Sequence, residues 1–133
     1  MDKLEYIPGD LVMVKKSALQ FAKDKIFKVI SSLSGGFVKV VMLNDSSTTY
    51  SISNNAVRPI PITTEILEKN GWMLYHLYYW FVEKECLKLR LLEFDNYTWN
   101  ACIGDNVIRI NMYSVSDLQH LLFGLGLNSE MEV

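Results

Sequence analysis

Turn-forming residues recur at short intervals between Tyr6 and Ile62, and they leave room only for short secondary-structure elements. Glycines in Pro8-Gly9-Asp10 and Ser34-Gly35-Gly36 accept the positive φ of tight turns, and Asn44 to Ser47 is also a turn composition. The runs between these turns are rich in β-branched residues, which favour strands. Strands are predicted at residues 11–14, 25–33, 37–43, 48–52 and 57–62, and a helical segment at 17–24. Four or five short strands predict a small barrel.

From Thr63 onward the sequence changes character. Thr63 is a good N-cap, Glu65 suits the first turn of a helix, and Gly71 suits its end, so a helix is predicted at 64–70. Strands are then predicted at residues 73–83, 87–94, 97–103 and 107–112, with hairpin compositions between them. Ser114 and Asp117 approximate a capping box that begins a closing helix. Two glycines end that helix, and the tail at 128–133 is expected to be loose.

An aromatic run at 71–82 is the most unusual segment of the chain. It is too short for a membrane-spanning helix, which needs about 20 residues, and its composition favours a strand, so no membrane association is expected. Alternation along one strand puts Tyr75, Tyr79 and Phe81 on one face and Trp72, Tyr78 and Trp80 on the other. Two explanations stay open, a core strand covered on both sides and a partner surface. The candidate partner surface consists of Trp72, Tyr75, Tyr78, Tyr79 and Trp80.

The next predicted strand has two unlike faces. Leu87, Leu89 and Leu91 alternate with Lys88 and Arg90, which indicates a half-buried strand with a basic outer face. Arg109 joins this face if its strand is adjacent. Lys88, Arg90 and Arg109, together with an exposed aromatic ring, could hold single-stranded nucleic acid, although such a face is more often simply solvated.

Composition excludes several classes of function. The formal net charge of the 133-residue chain is -2, so it lacks the surplus of basic residues that duplex-DNA binders carry. Cys86 and Cys102 have no CxxC spacing, and they are expected to be reduced thiols in the core. Residues 1–5 lack the apolar segment of a secretory signal, which predicts a cytoplasmic protein. No metal site or cofactor is predicted.

The strongest catalytic candidates are Asp117 and His120, because a spacing of three places them on one side of the last helix. A structural role is favoured for both residues, since Asp117 already fits the capping box and no nucleophile is placed beside them by the sequence. His76 lies within the aromatic run, where a structural imidazole is favoured over a ligand. The chain is therefore predicted not to be an enzyme.

Three segments resemble known proteins. The opening Pro8-Gly9-Asp10-Leu11-Val12 and the valine at 14 resemble the first strand of Src-homology-3-like barrels, including KOW modules. The junction Pro59-Ile60-Pro61-Ile62-Thr63 within residues 58–72, and the ending Leu118-Gln119-His120-Leu121 within 113–123, resemble small uncharacterised proteins of gut Bacteroidales and their phages and mobile elements. That family implies a β-rich front, an aromatic sheet and a closing helix, and it implies no activity.

The predicted fold class is α+β. A small Src-homology-3-like β-barrel at residues 1–62 is followed at 63–133 by a helix, a four-stranded antiparallel meander and a C-terminal helix, packed on the barrel. The leading hypothesis is a non-enzymatic protein-interaction module of phage or mobile-element origin with an unidentified protein partner. The alternative is a weak nucleic-acid-binding accessory protein, and the third is an enzyme of unknown class. A homodimer through an uncovered face of the sheet is also predicted.

Overall fold

The computed structural model of the protein describes residues 6–14, 25–33, 35–43, 45–76, 79–84, 87–93 and 98–133. It is an α+β protein with two antiparallel five-stranded sheets and two α-helices in the described part of the chain. The chain divides into two compact units, Met1–Ile60 and Pro61–Val133. Each unit has its own sheet and its own apolar core. The packing of the two parts on each other stays a prediction.

The first unit contains five strands in the order β4-β3-β2-β1-β5. They are β1 (Leu11–Val14), β2 (Ile26–Leu33), β3 (Phe37–Met42), β4 (Asp45–Ser53) and β5 (Val57–Pro59), with a 3-10 helix at Asn54–Ala56. The expected turn at 44–47 is wrong in part, because β4 already begins at Asp45. The predicted helical segment at 17–24 lies outside the described residues.

Local sequence signals explain the turns of this sheet. Gly35 and Gly36, between β2 and β3, both have a positive φ, +84° and +83°. Glycine adopts this conformation without strain, as the tight turn requires. Asp10 is buried before β1, where its Oδ2 accepts a hydrogen bond from the backbone N–H of Ile7 at 2.9 Å. Among the described residues β4 and β5 are the sheet edges, so the strands form an open sheet and not the closed barrel that was predicted.

The second unit begins with α1 (Thr64–Lys69). The Oγ1 of Thr63 accepts a hydrogen bond from the N–H of Ile66 at 3.2 Å, and Gly71 has a φ of +85° at the other end. Both predicted caps of this helix are confirmed. Ile62, just before the cap, and Leu67 are buried in the same core cluster, which is the pairing of a hydrophobic staple.

The second sheet is a meander of five strands in the order β10-β9-β8-β7-β6. They are β6 (Met73–Tyr75), β7 (Tyr79–Lys84), β8 (Leu87–Glu93), β9 (Trp99–Ile103) and β10 (Asn106–Met112). The predicted single strand at 73–83 is therefore wrong, and so is the count of four strands. His76 has a φ of +49°, a left-handed conformation, and the chain reverses there so that β6 pairs with β7.

The last helix, α2 (Val115–Gly124), begins with the predicted capping box. The Oγ of Ser114 accepts from the N–H of Asp117 at 3.1 Å, and Oδ2 of Asp117 accepts from the N–H of Ser114 at 3.1 Å. Leu118 and Leu122 are buried with the inner side chains of the second sheet. The helix therefore covers one face of that sheet. No helix in the described residues is long and apolar enough to cross a membrane.

The C-terminal segment after α2 is attached to the second unit, so the expectation of a loose tail is wrong. The side chain of Asn70 forms two hydrogen bonds of 2.8 Å with the backbone of Glu132, one donated and one accepted. The Nε2 of Gln119 donates to the carbonyl of Ser129 at 3.1 Å. Leu127 and Met131 are partly buried against the core. Sequence composition alone could not identify Asn70 as the partner, because it lies 62 positions away.

Candidate binding surface

The two tryptophans of the aromatic run belong to the core and not to the predicted partner surface. Trp72 is 4% exposed and Trp80 is 9% exposed, and both lie in the apolar cluster of the second unit. Trp80 is directly opposite Leu91 on the neighbouring strand, and Leu91 is fully buried. Because α2 covers this inner face of the sheet, both tryptophans are removed from the candidate surface. Tyr78, the third candidate predicted on that face, lies outside the described residues.

The opposite, outer face of the sheet carries three aromatic rings that contact one another. Tyr75 and Tyr79 are paired across the β6-β7 hairpin, and their rings stack with centroids 5.1 Å apart at an interplanar angle of 20°. The ring of Phe81 meets both edge-on, at 6.4 Å from Tyr75 and 6.2 Å from Tyr79. The ring of His76 meets Tyr75 edge-on at 4.2 Å. Tyr75 remains 43% exposed.

Two basic residues of the neighbouring strand lie over these rings. The Nζ of Lys88 is 4.7 Å from the centroid of Phe81 and 5.9 Å from that of Tyr75. The Cζ of Arg90 is 5.2 Å from the centroid of Tyr79. These distances are typical of cation-π contacts. We call Tyr75, Tyr79, Phe81, Lys88 and Arg90 together the aromatic-cation patch.

Alternation along β8 explains why the cations reach the outer face. Leu89 and Leu91 are fully buried on the inner face, whereas Lys88 is exposed and Arg90 is half-buried on the outer face. The predicted alternation of leucines and basic residues is therefore present. Phe81 was not in the candidate surface, although its position two residues after Tyr79 placed it on the same predicted face.

Arg109 does not belong to this patch, contrary to the prediction. It lies on β10, which is separated from β8 by β9, and it is paired with Ala101, whose side chain is in the core. The Nη2 of Arg109 lies 3.7 Å from Oδ1 of Asp117 on α2. The guanidinium therefore interacts with the helix that covers the inner face, and the basic face consists of Lys88 and Arg90.

An open groove of about 230 Å³ adjoins the patch. Tyr79, Lys88 and Arg90 line it together with Gly104 and Asp105 of the β9-β10 turn. The Nη2 of Arg90 donates a hydrogen bond to the carbonyl oxygen of Gly104, which holds the guanidinium at the wall of the groove. Small-molecule sites are usually deeper and enclose about 300–1,000 Å³. The groove is therefore suited to one side chain of a larger ligand.

Among the described residues, Glu83 is directly opposite Lys88 on the neighbouring strand and Asp105 lines the groove, but neither carboxylate forms an ion pair with the two cations. No ion pair within 4 Å involves Lys88 or Arg90 in the described part of the chain. Lys88 is exposed and Arg90 is half-buried beside the aromatic rings. This arrangement can bind an anionic group and can pack the apolar part of the same ligand against the rings.

The catalytic candidates lie elsewhere, at the start and middle of α2. Oδ2 of Asp117 accepts from the backbone N–H groups of Tyr113 at 3.0 Å and Ser114 at 3.1 Å, and Oδ1 faces Arg109. Asp117 therefore caps the helix and pairs with Arg109, the structural role that the sequence favoured. Among the described residues no group of three His, Cys, Asp or Glu side chains is placed to hold a metal ion. Cys102 is buried and free, and Cys86 lies outside the described residues.

Comparison with known proteins adds no family. No protein-family model matches the chain, and no curated protein matches it. The resemblance to small proteins of Bacteroidales and their phages therefore stays a prediction.

Proposed function

We propose that the chain is a non-enzymatic protein-interaction module and that its partner binds the aromatic-cation patch. The observation that supports this most directly is the position of Lys88 over Phe81 and of Arg90 over Tyr79, with no ion pair to either cation among the described residues. Tyrosine and arginine are enriched in the parts of interfaces that contribute most binding energy.

The setting that we propose is an accessory protein of a phage or mobile element acting in the cytoplasm. The support for this setting is the resemblance of residues 58–72 and 113–123 to the Bacteroidales proteins. For the first unit we propose a relationship to Src-homology-3-like barrels. Five short antiparallel strands, with β5 returning to pair with β1, support this relationship.

Site-specific photo-crosslinking tests the proposed surface. A photoreactive phenylalanine analogue at position 75 should crosslink to a protein partner in a lysate of the source cell, and the Tyr79→Ala variant of the same protein should lose the crosslink. The matched control places the analogue at Phe123, which is 66% exposed on α2. Equal crosslinking from both positions, or a Tyr79→Ala variant that keeps the crosslink, would contradict the proposal.

A second candidate function is weak binding of single-stranded nucleic acid. Lys88 and Arg90 beside the exposed ring of Tyr75 favour it, since such proteins combine basic residues with stacking platforms. Its support is reduced by the position of Arg109, which is paired with Asp117. Binding of an oligonucleotide that weakens steeply with salt and requires Lys88 would identify this function.

A second copy of the chain is also a candidate partner. Met73 and Leu74 at the β6 edge, and Val107 and Ile110 on the β10 edge, are exposed apolar residues. The two groups lie at opposite edges of the sheet, and exposed apolar residues at either edge can be buried by two-fold association. Light scattering over a hundredfold dilution should then give a mass that falls with dilution, and a constant monomer mass would contradict the homodimer.

A further inference from the structure

We infer that the aromatic-cation patch binds an acidic peptide segment, whose Asp or Glu side chains pair with Lys88 and Arg90. This inference rests on the proposed function and specifies the chemistry of the partner. It follows from three observations. The two cations contact the sheet, the ring faces of the patch are in contact with one another and with the cations, and Asp105 lines the groove.

The positive groups already contact the sheet in the absence of a ligand. Arg90 donates to the carbonyl of Gly104 and packs against Tyr79, and Lys88 lies over Phe81. Side chains that are already ordered lose less conformational freedom on binding. Hydrogen bonds from such cations to a carboxylate are among the stronger ones in proteins. Lys88 and Arg90 both line the open groove, so acidic side chains of one peptide segment can approach each head group from solvent.

The ring faces on which nucleic-acid bases would have to stack are largely covered by other side chains of the patch. Tyr79 lies on the strand between β6 and β8, so Tyr75 stacks on it from one side and Arg90 approaches it from the other. Lys88 lies over Phe81. Base stacking needs a free aromatic face, and Tyr75, the most exposed ring of the patch at 43%, already contacts both Tyr79 and Lys88. The patch is therefore better suited to anionic side chains than to successive bases.

Asp105 further favours a peptide. Its side chain is exposed and lines the same groove as Lys88 and Arg90. A nucleic-acid strand carries a negative charge at every nucleotide and would be repelled by this carboxylate. A peptide can place a neutral residue beside Asp105 and its acidic residues beside the cations.

Fluorescence anisotropy on the full chain tests the inference with three labelled probes of ten units each. They are a peptide that alternates Glu with Leu, the same peptide with Gln in place of Glu, and oligothymidylate. The Glu peptide should bind at least about tenfold more tightly than the Gln peptide, which corresponds to about 1.4 kcal/mol. A K88Q/R90Q variant should lose that difference. The control K28Q/K39Q removes the same charge from exposed positions on the first sheet and should retain it.

The outcomes separate the inference from the proposed function. Equal binding of the Glu and Gln peptides would overturn the inference, while a crosslinked protein partner at position 75 would leave the proposed function standing. Tighter binding of oligothymidylate than of the Glu peptide, lost in K88Q/R90Q, would overturn both and establish the nucleic-acid alternative. Retention of Glu-peptide binding in K88Q/R90Q would also overturn the inference, because the acidic residues would then bind elsewhere.

Discussion

The two faces of the second sheet differ sharply although they are built from the same strands. Trp80 and Leu91 on the inner face are buried under α2, and their chain neighbours Tyr79 and Arg90 on the outer face contact each other beside solvent. The inner face contains leucine, tryptophan and alanine, whereas the outer face combines rings with charges. The difference indicates that the inner face provides stability, and it leaves the outer face as the one on which we propose that a partner binds.

Truncation of an aromatic ring on the inner face should lower the free energy of unfolding more than any other change considered below. Trp99→Ala removes a side chain that is 2% exposed, and such a change costs about 3–5 kcal/mol because it leaves a cavity. Domains of ordinary stability have only about 5–15 kcal/mol, so the variant should be close to unfolding. Urea denaturation measures the loss, and Tyr75→Ala on the outer face is the control. A loss below about 1 kcal/mol for Trp99→Ala would remove the distinction between the faces.

Release of the C-terminal segment should have the next largest effect, because Leu127 and Met131 pack on the same core as the inner face. Asn70→Ala removes two hydrogen bonds to Glu132 and one to Ile66, with an expected cost of about 1–3 kcal/mol. Hydrogen exchange at the Glu132 amide should become faster. Asn128→Ala, whose side chain accepts only a local bond from Glu130, should leave that exchange rate unchanged.

Loss of the N-cap of α2, the helix that covers the inner face, should lower the stability of the protein by a smaller amount. Ser114→Ala removes the acceptor for the N–H of Asp117, and N-cap substitutions of this kind typically cost about 1 kcal/mol. Thermal unfolding measures the change, with Ser51→Ala at an exposed position of β4 as the matched control. If Ser114→Ala and Ser51→Ala have the same melting temperature, the capping box does not contribute to the covering of the sheet.

Sequence signals that act over a few residues predicted this structure well. Thr63, Gly71, Ser114 and Asp117 all perform the capping roles that their spacing indicated, since a cap involves only the nearest turn of a helix. The alternation of inner and outer side chains also held. Tyr75 and Tyr79 are paired across the hairpin and four residues apart, so the reversal at His76 leaves both on one face.

Features that depend on distant residues could not be predicted. No glycine or proline marks the reversal at His76. The aromatic residues on either side favour one long strand as much as two short ones, so the sequence could not locate the reversal. The pairing of Arg109 with Asp117 depends on which face of the sheet α2 covers. Likewise, the contact of Asn70 with Glu132 joins residues that no local pattern connects.

The smallest effect on stability is expected for the outer face, and it sharpens the comparison most. Lys88→Gln removes contacts with Phe81 and Tyr75, and a cation-π contact at an exposed site contributes about 0.5–1 kcal/mol. In a double-mutant cycle of Lys88→Gln with Phe81→Leu, measured by urea denaturation, the coupling should stay below about 1 kcal/mol. A larger coupling would mean that the cations stabilise the sheet itself. A small coupling, together with loss of peptide binding in K88Q/R90Q, would indicate that the cations contribute to ligand binding and not to the stability of the sheet.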